Sequence, residues 1–291
     1  MKVLAIDGGG IRGLIPALVL EDIERRTGQP AAELFDLVAG TSTGAIITCA
    51  LTRPQPMPAA RVAEIYEQEG PEIFDRSSLQ TIESVGGLLD ERYDARGLVT
   101  SLRRHLGDVR LAEATTAILL TTYDLETRAA LVLGNEDDLA MVDAAHASSA
   151  APTYFEPLRV GARTLIDGGV FATNPAMLAY ARASGDVEVL ASLGTGEHTR
   201  PLHFDEVKDW GQLNWARPIL DVVFDGSADA VDSQLGRLID DRYIRLQTRL
   251  DQASDDLDDA SPENLAALRR EAEQLIAERT DDIDRLCAAL T

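Results

Sequence analysis

The sequence predicts an α/β protein with a mostly parallel central sheet flanked by helices. Two stretches carry that reading. Val3 to Ile6 is a short apolar run that breaks at Gly8-Gly9-Gly10 and Gly13 before a helix-forming segment. Asp36 to Ala39 repeats the pattern, turning at Gly40 to Gly44 before Ala45 to Leu51. Strand, glycine turn and helix in alternation is the order that parallel sheets require. Size is the third observation. The 291 residues, 45% hydrophobic and 26% charged, suffice for a packed core and exclude a disordered or fibrous chain.

The elements follow in order. Val3 to Ile6 is apolar without alternation and bounded by glycine, as a buried strand is. In the helix after Gly13, Pro16 suits the first turn and Gly28 lies just past the end. Its Leu14, Ala17, Leu18 and Ile23 fit one face. Asp36 to Ala39 is a second strand, and Ala45 to Leu51 a buried apolar helix. Pro54, Pro56 and Pro58 mark a loop. Residues 59–75 read as a helix interrupted near Gly70-Pro71, and the glycines between Ser77 and Asp94 mark a surface excursion or lid. Arg96 to His105 is helical. Ala117 to Thr122 and Ala130 to Leu133 are strands of a hairpin around Asp124. Thr164 to Ile166 is a short strand ending at Asp167, Asn174 to Ala183 a helix, and Val187 to Leu193 a strand closed by Gly194-Thr195-Gly196.

The chain's end differs. Residues 251–291 hold 12 acidic and 4 basic side chains, a balance of −8. Leu265, Leu268, Ala272, Leu275, Ile276, Ile283, Leu286 and Leu290 form a stripe at helical spacing. It reads as a terminal helix packed on its own domain. A partner or dimer contact comes second, and an acidic polar face argues against a helix lying in a membrane. The whole chain is read as a single domain over 1–291, with its motifs within about 1–200 and a helical, acidic part over about 205–291.

Charge excludes some roles. The 27 Lys+Arg against 49 Asp+Glu give −22, a field that repels nucleic acid and opposes docking on anionic lipid. Cys49 and Cys287 form no disulfide framework or metal pattern. The apolar run Val3 to Ile6 stops at Asp7, too short for a secretory signal, and no stretch is long enough to span a bilayer. A cytoplasmic protein is expected, with transient association at a membrane surface allowed.

Three clusters carry chemistry. Gly40-Thr41-Ser42-Thr43-Gly44 is a G-x-S-x-G between a strand and an apolar helix. Such a sharp turn projects a serine Oγ clear of the sheet, and Gly40 and Gly44 let strand and helix approach. The helix N-terminus then faces the site and favours developing negative charge. The bland alternative is a serine N-cap. Asp7-Gly8-Gly9-Gly10-Ile11-Arg12-Gly13 places bare backbone N–H groups after the first strand, suited to an oxyanion hole. Gly8, Gly10 and Gly13 also fit a dinucleotide-binding loop, but Glu33 and Asp36 precede the second strand instead of ending it. Asp167-Gly168-Gly169 ends a strand where α/β sheets place catalytic groups, although an Asp-Gly pair alone reads as a turn. Among the histidines, His105 ends a helix and His146 lies in a buried helical stretch. His198 and His203 follow Gly196 in a loop, and either could complete a Ser-His-Asp triad with Ser42 and Asp167, as in an α/β-hydrolase esterase.

Taken together, Asp7 to Gly13, Gly40 to Gly44 and Asp167 to Gly169 resemble the patatin-like phospholipase family. The resemblance extends to Ala147-Ser148-Ser149-Ala150-Ala151-Pro152-Thr153-Tyr154-Phe155, Asn174-Pro175-Ala176 and Ser192-Leu193-Gly194-Thr195-Gly196, in order over about residues 1–200. It implies a three-layer α/β/α core and a Ser–Asp dyad that needs no cofactor or metal. Ser42 would be the nucleophile and Asp167 the proton acceptor. The oxyanion hole would come from Gly8, Gly9 and Gly10, with Gly8 shaping the loop, and from the backbone of Thr43. Arg12 would steady the loop or meet a lipid phosphate. The implied substrate is an acyl ester of a membrane glycerolipid or a soluble ester, cleaved by phospholipase A-type hydrolysis. The implied size class also leaves room for a small-molecule or protein activator, and the C-terminal helix for oligomer contact. Apart from the resemblance, the apolar residues near Ile73-Phe74 and Leu88-Leu89 suit a hydrophobic mouth or lid, or equally core packing. A nucleotide-binding module using Gly8 to Gly13 is the non-enzymatic alternative.

Overall fold

The computed structural model describes residues 1–74, 93–197, 199–215 and 218–291. Its strands are β1 (Lys2–Ile6), β2 (Leu37–Thr41), β3 (Ala117–Asp124), β4 (Ala129–Gly134), β5 (Leu158–Val160), β6 (Arg163–Asp167), β7 (Val189–Leu193) and β8 (Tyr243–Leu246). They form one sheet in the order β5-β6-β3-β2-β1-β7-β8, with β4 also paired to β3. The ladders from β3 across β2, β1 and β7 to β8 are parallel; those of β4, β5 and β6 are antiparallel. The helices are α1 (Leu14–Thr27), α2 (Ala31–Leu34), α3 (Thr43–Thr52), α4 (Ala59–Ile73), α5 (Arg96–Leu106), α6 (Met141–Ser149), α7 (Gly169–Ala172), α8 (Ala176–Arg182), α9 (Phe204–Val207), α10 (Gln212–Trp215), α11 (Pro218–Ile239), α12 (Pro262–Glu278) and α13 (Thr280–Leu290).

Successive side chains of a strand face opposite sides of a sheet, and β1 shows what that achieves here. Leu4 and Ile6 join a core with α1, α3, α5, α6, α12 and α13. Val3 and Ala5 face the other way, against Ala176 and Ala179 of α8 and Leu235 and Ile239 of α11. Being covered on both faces is why β1, β2 and β7 read as continuous apolar runs. This is the expected three-layer arrangement. No helix among the described residues is long and apolar enough to cross a membrane.

Local signals explain the boundaries. Gly28 ends α1 with φ 69°, a left-handed conformation that costs glycine little. Ser261 caps α12, its hydroxyl accepting the Asn264 N–H at 3.2 Å, with Pro262 at the first helical position. In the β3–β4 hairpin the Asp124 carboxylate accepts from the Glu126 N–H and the Thr127 hydroxyl, each at 3.0 Å.

The structure departs from the sequence reading in three places. α4 runs through Gly70-Pro71 without a break, because Pro71 lies in its last turn and Phe74 still donates to the Gly70 carbonyl at 3.0 Å. The C-terminal part is not only helical: β8 extends the main sheet beside β7. The apolar stripe forms two helices, α12 and α13, meeting at Arg279. The stripe is covered within the chain. Leu268, Ala272, Ile283 and Leu286 are fully buried in the core shared with α1. Arg26 of α1 ties Asp22 to Asp284 of α13, at 2.6 Å each. Leu88-Leu89, most of the Ser77 to Asp94 stretch and His198 lie outside the described residues.

Removing the Leu286 side chain therefore opens a cavity in the main core. Leu286→Ala should lower the free energy of unfolding by about 2–5 kcal/mol, read by urea titration. A change well under 1 kcal/mol would show α13 to be a detached appendage.

Candidate active site

The site forms where two strands stop. β2 runs parallel to β3 and ends with Thr41 opposite Thr121. β6 runs antiparallel to β3 and ends with Asp167 opposite Thr122. β4 occupies the other edge of β3 from Leu119 to Asp124, so β2 and β6 share one edge and converge from opposite directions. The residue after Thr41 is Ser42. Two strand ends on adjacent rungs thus bring together residues 125 apart in sequence, Ser42 and Asp167.

Threonine hydroxyls fasten the junction. Thr121 Oγ1 donates to Thr41 Oγ1, Thr41 Oγ1 to the Ala172 carbonyl, and Thr122 Oγ1 to the Ile166 carbonyl, all at 2.7 Å. The elbow itself is strained: Ser42 has φ 54° and ψ −120°, a conformation disfavoured for a residue with a side chain. Its N–H donates to Ser148 Oγ at 2.8 Å. The elbow glycines meet the expected need. A Cβ on Gly40 would fall on the Gly44 carbonyl, and one on Gly44 on the Ile6 carbonyl.

Asp167 is 1% exposed. Two neighbours favour its charged form: the Ser42 hydroxyl, and the Gly169 N–H, which donates to Oδ1 at 2.7 Å. Burial disfavours the charged form and outweighs both bonds, pushing the pKa up from the ordinary value near 3.8 to about 7. A carboxyl so tuned is a far better proton acceptor at neutral pH than an exposed one.

The glycine loop lies against the same serine. A Cβ on Gly8 would come within 3.3 Å of Ser42 Cβ, so Gly8 supplies room. Its N–H is committed to the Thr173 carbonyl at 3.0 Å, so within the hole Gly8 shapes the loop and Gly9, Gly10 and Thr43 are left to donate. The N–H groups of Gly9, Gly10 and Thr43 bond to no protein acceptor among the described residues. Thr195 fills the space where a Gly9 side chain would sit, and its hydroxyl donates to the Gly8 carbonyl at 2.7 Å. Gly10 takes φ 57° over the Leu257 carbonyl, which accepts the Ile11 N–H at 2.9 Å. Tyr66 of α4 hydrogen-bonds Thr43 Oγ1, and burial pushes its phenol pKa up. Tyr66 and Leu257 carry no local sequence signal; only the fold brings them here.

Arg12 is buried, and its Nε reaches the Gly9 carbonyl at 3.4 Å. The charges around it are Asp221, Asp225 and Asp255. This surrounding suits a loop support and opposes approach of a phosphate. Beneath the loop Asp7 pairs with Arg245 of β8 at 2.6 Å.

No histidine is bonded to Ser42 or Asp167 among the described residues. His105 Nε2 pairs with Glu69 at 2.7 Å, His203 is exposed at the start of α9, and burial pulls the His146 pKa down. The dinucleotide reading also lacks its acid, because β2 ends at Thr41.

A cavity, partly open to solvent, starts at Ser42, Asp167 and the glycine loop. Its walls are apolar: Ile46 and Ala50 of α3, Val62 and Ile65 of α4, Leu98, Leu102 and Leu106 of α5. From Thr43 to Ala50 it follows α3 for about 10 Å at 1.5 Å per residue. Ile73 and Phe74, expected at a mouth, line it, and Phe74 packs on Phe155 and Tyr93 with ring centroids 6.0 and 5.6 Å away.

A family model described as patatin-like phospholipase matches residues 4–180. "Patatin-like protein 2" of Arabidopsis thaliana is 32% identical, covering 95% of this chain and 83% of its own length. "Patatin-like protein 2" of Oryza sativa subsp. indica is 31% identical over 98% and 85%. A Solanum tuberosum relative named "Probable inactive patatin-3-Kuras 1" is 28% identical over 95% and 86%.

The raised Asp167 pKa has a stability consequence. Between about pH 4 and pH 7 the unfolded chain has lost this proton and the folded chain keeps it, so this group's contribution to stability falls as pH rises. Asp167→Asn, which mimics the protonated form, should gain on wild type by a few kcal/mol, on the order of 1.4 per pH unit, and level off above pH 7. Urea unfolding of both proteins across that range checks this. A difference independent of pH would show that Asp167 ionises normally.

Proposed function

The chain belongs to the patatin-like phospholipase family, and from that membership and the site we propose a serine lipid acyl hydrolase of phospholipase A type with a Ser42–Asp167 dyad. The observation that carries this reading is the convergence of the ends of β2 and β6, which sets Ser42 and the buried Asp167 on the wall of one apolar cavity. A relative bears "inactive" in its name; the presence of both residues on the wall of one cavity here supports an active chain.

In the proposed mechanism Ser42 Oγ attacks the ester carbonyl while Asp167 takes its proton. Asp167 returns that proton to the leaving alkoxide, then draws one from water to release the acyl group from Ser42. The developing oxyanion is met by the N–H groups of Gly9, Gly10 and Thr43, held in place beforehand by Thr195, Leu257 and Tyr66. The apolar cavity along α3 takes the acyl chain. Phospholipid and short soluble esters both fit this chemistry, and the negative charge of the protein favours zwitterionic or neutral lipid over anionic lipid.

Fatty-acid release from mixed phospholipid vesicles and hydrolysis of a short-chain nitrophenyl ester, measured side by side, test the reading. Ser42→Ala and Asp167→Asn should be folded and inactive on both. Gly9→Ala should lower kcat by about 100–1,000-fold, the usual cost of a lost oxyanion donor, because its methyl displaces the loop from Thr195. Full activity in the serine or aspartate variant would refute the dyad. Since the base must be unprotonated, kcat/KM of wild type should climb to a plateau through about pH 7. A profile rising near pH 4 would contradict the buried-base argument.

A further inference from the structure

One buried ion pair is tied to the glycine loop without lining the acyl cavity. Asp7 follows β1 directly, stands immediately before Gly8 and is 2% exposed. Arg245 reaches it from β8, which is not the neighbouring strand. β7 lies between them, with Ser192 opposite Ala5 on one side and Arg245 on the other. The guanidinium spans that strand: Nη1 donates to Ser192 Oγ at 2.8 Å and Nη2 to Asp7 Oδ2 at 2.6 Å. Ser192 Oγ also accepts from Asn174 Nδ2 at 3.1 Å. The residue before Asn174 is Thr173, whose carbonyl takes the Gly8 N–H. One guanidinium thus holds the loop's entry twice, at the Asp7 carboxylate and, through Ser192 and Asn174, beside the acceptor of the Gly8 N–H.

Stability does not account for burying this pair. Removing two charges from water is repaid only when their remaining hydrogen-bonding capacity is met, and apolar residues of similar volume often serve as well or better. Here Asp7 Oδ1 is buried with no hydrogen-bond partner among the described residues. What a guanidinium adds over an apolar contact is direction, because its planar fork holds two acceptors at a fixed angle. Direction is what three successive glycines lack, having no side chains to lock their backbone. The exit of the loop is pinned where Ile11 donates to the Leu257 carbonyl. Arg245 pins the entry.

We propose that Arg245 is a positioning residue for the oxyanion hole: through Asp7 and Ser192 it fixes the start of the glycine loop, so that the N–H groups of Gly9 and Gly10 are aimed before substrate arrives. The inference rests on the hydrolase reading. It gives a functional part to β8, a strand beyond the residues 4–180 that the family model matches.

Two variants test it: Arg245→Gln, and the neutral pair Arg245→Gln with Asp7→Asn, which leaves no buried charge uncompensated. Both should lower kcat/KM on the short nitrophenyl ester by about 100-fold, the cost of a displacement near 1 Å, with KM close to wild type. Arg245→Lys, which keeps the charge but not the fork, should recover part of the loss. A trifluoromethyl ketone, which takes the tetrahedral oxyanion form on a serine, should lose affinity by the same factor as kcat/KM. Leu286→Ala, destabilised away from the site, should show neither loss. By NMR, the Gly8 amide should exchange with deuterium faster in Arg245→Gln than in Leu286→Ala. The proposal is overturned if the neutral pair folds and keeps wild-type kcat/KM, or if kcat/KM falls while ketone affinity holds, since the loss then lies outside the hole. It is equally overturned if Leu286→Ala loses as much activity, since the pair then acts through stability alone. A wild type that cleaves neither phospholipid nor the ester strikes the hydrolase reading. Gly8 exchange still judges the positioning in that case, and a rate unchanged in Arg245→Gln overturns it.

Discussion

The site depends on one edge of β3. A strand residue has two lateral neighbours, and β4 uses one side of Leu119 to Asp124 throughout. The remaining edge is divided between β2 and β6, which arrive head-on and stop on neighbouring rungs. Because backbone hydrogen bonds set the register, the separation of Ser42 and Asp167 is fixed by the sheet itself. No flexible side chain has to search for its partner. The threonine hydroxyls at 41, 121 and 122 satisfy the polar groups of this dry junction, where an unpaired one would cost about 1–3 kcal/mol.

Convergence of strand ends also explains the electrostatics. A carboxyl at the end of a covered strand is cut off from water, and its pKa climbs. Two hydrogen bonds hold it partly in check, so it titrates near neutrality. The glycine loop is set by separate contacts, Thr195 under Gly9 and the Leu257 carbonyl under Gly10. Base and loop are thus built by different parts of the chain and meet only at Ser42.

Much of this was legible in the sequence because glycine leaves marks that other residues do not. The runs at 8–13 and 40–44 announced close backbone approach, and the contacts blocking a Cβ at Gly9, Gly40 and Gly44 are the reason. β1, β2, β3, β4, β6 and β7 were readable from apolar runs and turns. β8 was not: the four residues Tyr243-Ile244-Arg245-Leu246 are too short to distinguish from a helix turn, and only pairing with β7 makes them a strand. Tyr66, Ser148 and Leu257 act through contacts across 23 to 246 positions, and no local pattern encodes those. Where the Gly8 N–H points, toward the Thr173 carbonyl, is likewise something composition cannot tell.

The support of Gly10 and Ile11 by Leu257 has a consequence in time. A ribosome makes the chain from its N-terminus, so the glycine loop emerges 246 positions ahead of its support, Ile11 before Leu257. β1 likewise waits for β7, nearly two hundred residues later, before its second edge is paired. Pairings so distant in sequence form late and slowly. Until Leu257 is made, the nascent chain holds the glycine loop without that support. The site around Ser42 is thereby incomplete until Leu257 has emerged.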